Sequence, residues 1–340
     1  MRRRNDLPHA EGTDPPSIRR APVIYLHGML YTALGRAVSI ALATLLVFGL
    51  VLLREATSPS GDGYWRAMAA APRGDLYLAD EVHRELRLVH PGGGWERLAA
   101  VPGGVFRALA ADGPNLLLAT EGKLYVSNDT GATWRAALPG RFTAVSINGP
   151  EELAGAWADA LYVSHDTGQT WAKATVPAGD TEFEAVIPGL AATLLGLLQS
   201  LDGDRTWTRV PELPDRMTAL DGRTREAADW RGHVWAQETF VGGLPSHLAP
   251  GSSPGIEPIV VPGASWFRLQ TVPGGVWSVA PGLVATTQGV YVAGKPVVGP
   301  LKGREVTRVV LSDSTYWAAA ARGPLYVSLD GKSWTLAYQG

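Results

Sequence analysis

The stretch SNDTGATW at residues 127–134 recurs as SHDTGQTW at residues 164–171, so that the two closing tryptophans lie 37 positions apart. Less regular copies are SLDGDRTW at residues 200–207 and SLDGKSW at residues 328–334. A period of this length is typical of stacked supersecondary units such as propeller blades. Asp next to a Gly-containing turn supplies side-chain bonds to the backbone, and the Thr and Trp that follow suit a strand. Each copy therefore predicts a tight hairpin turn.

Alternating hydrophobic runs around these copies predict four short strands per unit. The signal for a first strand recurs at residues 64–70, 105–111, 142–147, 183–187, 217–220, 276–280 and 306–311. Seven starts give about 39 residues per unit, which is close to the size of a four-stranded blade. The sequence thus predicts an all-β, seven-bladed β-propeller over residues 64–340, with six or eight blades as alternatives. The fifth unit is longer than the others, and residues 241–255 are its predicted insertion.

The pattern S-x-D-x-G-x-T-W resembles the Asp-box, or BNR repeat, of sialidase-like propellers, the sortilin-type receptor domain and the photosystem II stability/assembly factor group. The resemblance covers residues 64–340. It implies that the box forms the turn between the third and fourth strands of a blade, with the Asp bonding the turn and the Trp packing between blades. The box residues with this structural role are Ser127, Asp129, Gly131, Trp134, Ser164, Asp166, Gly168, Trp171, Ser200, Asp202, Trp207, Ser328, Asp330 and Trp334.

An uncharged apolar run at residues 37–53 is long enough to be a membrane span, at 1.5 Å of helix per residue. We expect residues 21–54 to be an anchor segment, residues 1–20 a disordered basic cytoplasmic tail, and residues 55–63 a linker. A cleaved signal peptide is the alternative interpretation. Six arginines precede the span, which favours a cytoplasmic N-terminus and an extracytoplasmic propeller, periplasmic or at the cell surface.

Composition excludes several classes of function. The chain has no cysteine, which rules out thiol catalysis, disulfides and Cys-ligated metals. Residues 1–54 carry a net charge of +4 and the remainder -6, so the propeller lacks the basic stripe that nucleic-acid binding needs. The seven histidines show no short ligand spacing. We therefore expect no nucleic-acid partner, no metal and no cofactor.

A sialidase-like enzyme is the alternative function that the resemblance raises. Such enzymes use an arginine triad, a Tyr/Glu pair, an Asp acid/base and an R-I-P motif. The nearest approach to that motif, FRAL at residues 106–109, lacks both Ile and Pro. An exo-sialidase-like glycosidase or a glycan-binding propeller stays the second hypothesis, with Arg107 as its test residue.

The leading hypothesis is a non-enzymatic, membrane-anchored scaffold or assembly factor that binds a protein. Its binding residues are expected on the face opposite the boxes, where blade-to-blade loops and second-to-third strand loops lie. Trp157 is the strongest candidate, because tryptophan and arginine dominate interface hot spots. The full set of candidates is Trp157, Asp159, Glu121, Arg141, Arg216, Arg304 and Arg322, together with His83 and Asp180.

Overall fold

The computed structural model describes residues 67–149, 151–156, 160–179, 182–214, 216–237, 240–241, 244–245, 266–321 and 323–339. The predicted tail, anchor and linker lie outside these ranges. Within the described part of the chain, no helix has the length and apolar character that a membrane span requires.

The described residues form seven four-stranded antiparallel sheets, which confirms the prediction of an all-β, seven-bladed propeller. Blade one contains β1 (Met68–Ala70), β2 (Leu76–Asp80), β3 (Glu85–Val89) and β4 (Trp95–Ala100), with a 3-10 turn at Pro72–Gly74. Blade two contains β5 (Phe106–Asp112), β6 (Asn115–Thr120), β7 (Lys123–Ser127) and β8 (Arg135–Pro139). Blade three contains β9 (Phe142–Asn148), β10 (Glu151–Ala156), β11 (Ala160–Ser164) and β12 (Ala172–Lys173). Blade four contains β13 (Phe183–Ile187), β14 (Leu190–Thr193), β15 (Gly196–Ser200) and β16 (Trp207–Arg209).

Blade five is interrupted between its third and fourth strands, where the long unit was expected. It contains β17 (Met217–Asp221), β18 (Glu226–Asp229) and β19 (His233–Gln237), then a two-stranded ribbon of β20 (Phe240–Val241) and β21 (Leu244–Pro245), and closes with β22 (Trp266–Thr271). Most of the predicted insertion at 241–255 lies outside the described residues. Blade six contains β23 (Val276–Ala280), β24 (Leu283–Thr286), β25 (Gly289–Val292) and β26 (Lys295–Pro296). Blade seven contains β27 (Val306–Ser312), β28 (Thr315–Ala320), β29 (Pro324–Ser328) and β30 (Thr335–Gln339).

Strand direction alternates within each blade, so the connecting loops divide between two faces. Loops that join first to second and third to fourth strands form one face, which also carries all four box turns and is called the box face below. Second-to-third strand loops and blade-to-blade connections form the opposite face. The first strand of every blade lines a central channel.

Buried aliphatic and aromatic side chains fill the seams between neighbouring blades. The box tryptophans contribute to them: Trp207 packs with residues of blades three and four, and Trp334 with residues of blades six and seven. The described residues of the first and last blades share no strand, so side chains close the ring. Trp317 is fully buried and its Nε1 donates to the Gly74 carbonyl at 2.9 Å, while the Gly74 amide donates to Asp313 at 2.9 Å.

Candidate functional site

The first box turn is held by hydrogen bonds between its own residues. The Ser127 hydroxyl donates to Asp129 Oδ1 at 2.8 Å, and the Gly131 amide donates to the Ser127 oxygen at 2.8 Å. The Thr133 amide donates to Asp129 Oδ1 at 2.9 Å, and its hydroxyl donates to Oδ2 at 2.6 Å. Both carboxylate oxygens therefore bond within the turn.

The same arrangement recurs in the other three copies, and it lowers the pKa of each box aspartate. The Thr170 hydroxyl and amide hold the pKa of Asp166 at about 2. Similar hydrogen bonds lower the pKa values of Asp129, Asp202 and Asp330. These carboxylates are acceptors that stay ionised at neutral pH, in geometry suited to a turn and unsuited to proton transfer.

The third box departs from the pattern because Asp204 replaces the glycine. Asp204 adopts the left-handed conformation at φ 62° and its amide still donates to Ser200 Oγ at 3.0 Å. Its side chain is buried and accepts a hydrogen bond from the Gly189 amide at 2.9 Å. Burial raises the pKa of Asp204. The irregular copy thus gains a contact to the neighbouring hairpin in its own blade.

A second buried acid lies beneath the second box. Glu152 is 0% exposed, and neither of its carboxylate oxygens has a hydrogen-bond partner among the described residues. Glu152 lies opposite Ser164, the first residue of the second box, on the neighbouring strand. The corresponding residue is Leu116 opposite Ser127 in the first box and Tyr316 opposite Ser328 in the fourth. Burial raises the pKa of Glu152 to about 7, with the Asp166 charge adding to the rise. A carboxyl group here replaces an apolar side chain.

The central channel has a volume of about 260 Å³. Alanine, valine and other small or aliphatic residues supply most of its lining. Glu184 and Arg308 are the charged residues in the described lining, and Trp277 is the large aromatic one.

A β-bulge occurs in the first strand of six blades, at the end nearest the opposite face. The extra residues are Arg107, Thr143, Glu184, Thr218, Trp277 and Thr307. Bulges redirect a side chain and are common beside binding sites. Four of these positions, Thr143, Glu184, Thr218 and Trp277, line the channel.

The three threonines at these bulge positions have a structural contact in common. The hydroxyls of Thr143, Thr218 and Thr307 each donate to a second-strand carbonyl of their own blade, at 3.4, 3.3 and 3.3 Å. The hydroxyl of Thr143 also donates to the next blade at 2.7 Å. In blades two, four and six the bulge position holds Arg107, Glu184 or Trp277. None of these side chains has the hydroxyl with which threonine bonds the second-strand carbonyl. The two sets alternate around the ring.

An arginine-flanked tryptophan lies on the opposite face of blade five. Trp230, in the loop between β18 and β19, is 45% exposed. The guanidinium carbon of Arg216 lies 5.8 Å from its ring centroid, and that of Arg231 lies 5.2 Å away. Trp277 in the next blade is 48% exposed. The loop of Trp230 is adjacent to the connection that precedes β23. A Cβ atom added to Gly275 in that connection would lie 3.3 Å from the backbone oxygen of Trp230.

The predicted binding residues are only partly brought together. Glu121 forms an ion pair with Arg107 and lies 3.6 Å from Arg141, so these three residues form one cluster at blades two and three. Arg216 belongs to the Trp230 group of blade five, and Arg304 of blade seven instead donates to the Tyr326 hydroxyl at 3.2 Å. Four of the candidates lie outside the described residues: Trp157, Asp159, Asp180 and Arg322.

His83 belongs to an ionic cluster at the blade-one edge of the opposite face. Its Nδ1 lies 2.9 Å from Asp80, and these two residues could bind a cation together with Glu85. Arg87 already lies between the two carboxylates, 3.0 Å from Asp80 and 2.5 Å from Glu85, and 4.1 Å from the centroid of the Trp95 ring. Its positive charge fills the role that a metal ion would have.

Sequence reasoning missed Trp230, Trp277, Glu184 and Arg308. Each lies in or beside an alternating hydrophobic run, which predicts a strand but no binding role. The alternation of hydrophobic residues cannot reveal where a bulge turns a side chain towards the channel. A comparison of the seven first strands position by position would have exposed Glu184 and Trp277 as departures from threonine.

No protein-family model matches the chain, and no curated protein matches it. Several solved structures are similar to the chain. An ancestral GH74 enzyme is 11% identical with a TM-score of 0.57, over 82% of this chain and 47% of that one, so the chain spans about half the length of that enzyme. A streptogramin B lyase is 8% identical with a TM-score of 0.57, over 81% of this chain and 94% of that one. YCF48 bound to a D1 peptide is 15% identical with a TM-score of 0.39, over 79% and 80%. At their identities, the likeness to the GH74 enzyme and to the lyase shows a shared fold alone.

Proposed function

We propose that this chain is a non-enzymatic, membrane-anchored propeller that binds a protein partner through the face opposite the boxes, as a scaffold or assembly factor. The observation that carries the proposal is the exposed Trp230 with Arg216 and Arg231 beside its ring. Large exposed aromatics cost free energy in water unless a partner covers them, and tryptophan and arginine are both enriched in interface hot spots.

The position of this group supports the same conclusion. Trp230 and Trp277 are adjacent, nearly half exposed and on the face where loops rather than turns of fixed geometry meet. The box face is different, because its aspartates are occupied by turn hydrogen bonds. A partner would therefore gain most contact area on the opposite face.

A hydrolytic role is less well supported by the channel. Glycoside hydrolysis generally requires two carboxylates about 5 to 9.5 Å apart around the scissile bond. In the described channel lining Glu184 is the single acid, and no tyrosine accompanies it. Arg107, the test residue for a sialidase, instead forms an ion pair with Glu121.

The anchor belongs to the proposal through the apolar run at residues 37–53, which precedes the propeller by a short linker. A single span with a cytoplasmic N-terminus would hold the propeller outside the cytoplasm and restrict it to partners near the membrane.

The test is affinity capture of the full-length protein from its native membrane in mild detergent, followed by mass spectrometry. We expect a stoichiometric partner that is lost from a Trp230→Ala, Arg231→Glu double variant. The matched control, Lys332→Glu, changes an exposed cation on the box face and should retain the partner. If the wild-type protein is recovered alone, or if the double variant captures the same partner equally well, the proposed function is wrong.

A further inference from the structure

Arg308 is a cation in the channel that forms no ion pair with any described residue, and the one acid in the same described lining is Glu184 of blade four. It is part of β27, where the next residue, Val309, packs into the buried core between blades six and seven. Side chains alternate along a strand, so Arg308 faces the channel and is part of its lining. No described residue forms an ion pair or hydrogen bond with its guanidinium, and its Nε is buried without an acceptor.

This arrangement is costly for the folded protein on its own. Burial lowers the pKa of Arg308. An arginine stays protonated under physiological conditions, and a half-buried charge without an ion pair to the described residues destabilises the folded protein. Elsewhere in the chain the pattern is the opposite: the buried Arg87 contacts both Asp80 and Glu85.

Trp277 is the large aromatic residue in the same described lining as Arg308. The Ser278 hydroxyl donates to the Val309 carbonyl at 3.3 Å, and the Val309 amide donates to Ser278 Oγ at 3.2 Å. These bonds set β23 against β27, so that Trp277 and Arg308 are contributed by adjacent strands at a similar level of the channel. Trp277 occupies the bulge position that holds a bonded threonine in three other blades, and it is 48% exposed.

We propose that Arg308 and Trp277 form a binding site for a carboxylate in the channel mouth. A guanidinium offers two parallel N–H donors that match the two oxygens of a carboxylate, and the tryptophan ring packs against the apolar part of the same ligand. The channel volume of about 260 Å³ exceeds the roughly 30 Å³ that one water occupies in the liquid, so a small organic acid or an acidic side chain fits. The site shares Trp277 with the protein-binding proposal above but depends on Arg308, which that proposal does not use.

The carboxylate could come from a free organic acid or from an acidic residue of a protein, and the experiment distinguishes the two sources. Equilibrium dialysis of the full-length protein in detergent would use radiolabelled succinate, acetyl-Ala-Asp-Ala-amide and acetyl-Ala-Asn-Ala-amide at constant ionic strength. The two peptides differ only in the carboxylate. Lys332→Gln, on the box face, is the control variant.

We expect saturable one-to-one binding of succinate or of the Asp peptide, with no binding of the Asn peptide. Affinity should fall at least about tenfold in Arg308→Gln and also in Trp277→Ala, and should be unchanged in Lys332→Gln. Binding of succinate would identify a free acid as a ligand. Binding of the Asp peptide alone would identify an acidic protein segment.

Two results would overturn the proposal. One is that neither succinate nor the Asp peptide binds, or that both bind Arg308→Gln as tightly as wild type. The other is a lower melting temperature for Arg308→Gln and Arg308→Met in ligand-free buffer, because that would show a stabilising internal partner. Since dialysis uses the protein alone, a failed partner capture leaves this result unaffected.

Discussion

Replacing Glu152 with glutamine removes a buried charge and should change how stability depends on pH. Burial raises the pKa of this carboxyl from 4.5 to about 7 in the folded protein. Because the folded-state pKa is the higher one, the stabilising effect is complete below about pH 4.5 and is lost as the pH rises through about 7. At about 1.4 kcal/mol per pKa unit, the total loss is roughly 3 kcal/mol, of which about 2.5 kcal/mol develops between pH 5 and pH 8.

The assay is equilibrium urea unfolding of the full-length protein in detergent at pH 5 and pH 8, followed by near-UV circular dichroism. Other buried acids also titrate, including Glu226, whose pKa burial raises to about 7. The informative quantity is therefore the difference between wild type and variant. Glu152→Gln should be the more stable protein at pH 8 by about 2 to 3 kcal/mol and nearly equal to wild type at pH 5.

Glu96→Gln is the matched control, because Glu96 is an exposed residue of an outer strand. It should show the same pH dependence as wild type. An identical difference between pH 5 and pH 8 in wild type and Glu152→Gln would refute the reasoning, since it would mean that Glu152 is solvated or paired in solution.

Three further predictions follow from the packing. Gly232→Ala should unfold at a much lower temperature than Gly282→Ala. Both glycines have positive φ, but of the two only Gly232 would place its added Cβ against a backbone oxygen, that of Val272 at 2.0 Å. Equal melting temperatures would contradict this. Trp317→Phe should cost about 1 to 3 kcal/mol in urea unfolding, because it leaves the Gly74 carbonyl without its donor at the seam that closes the ring. Asp166→Asn should lower the melting temperature at pH 7 but not near pH 2, where the wild-type carboxyl is itself protonated; a loss that is equal at both pH values would show that charge is irrelevant to the turn.

The blade count could be read from the sequence because each blade repeats the same physical requirements. A first strand that borders the channel needs small alternating residues, and a box turn needs Asp beside Gly. Both signals survive in a single chain, as at residues 105–111 and 127–134, where strands β5 and the β7–β8 turn are found. The boundaries agree to within a few residues, since a blade is fixed by local strand pairing.

The candidate site could not be read in the same way, because it depends on which loops of distant blades meet. Arg216 was selected for its position in a blade-to-blade connection, but its aromatic neighbour Trp230 follows a second strand and carries no distinguishing pattern. Arg308 looks like one polar residue in the run VTRVVLS at residues 306–312. Its importance comes from its place in the channel lining and from the lack of an ion pair to any described residue, which the seven first strands determine together.

The first-strand bulges explain why departures from the repeat are informative in this fold. Where the bulge residue is threonine, its hydroxyl bonds the second strand, as Thr143 and Thr307 do. In blades two, four and six the second strand instead ends in a threonine that bonds the following turn: Thr120 donates to the Lys123 carbonyl, Thr193 to Gly196 and Thr286 to Gly289. That second threonine stabilises the end of the blade locally. A threonine at the bulge position is therefore not needed to stabilise these blades. These bulge positions hold Arg107, Glu184 and Trp277, of which Glu184 and Trp277 line the same channel as Arg308. Charged and large aromatic side chains thus occur at the positions where the repeat does not need a threonine for folding.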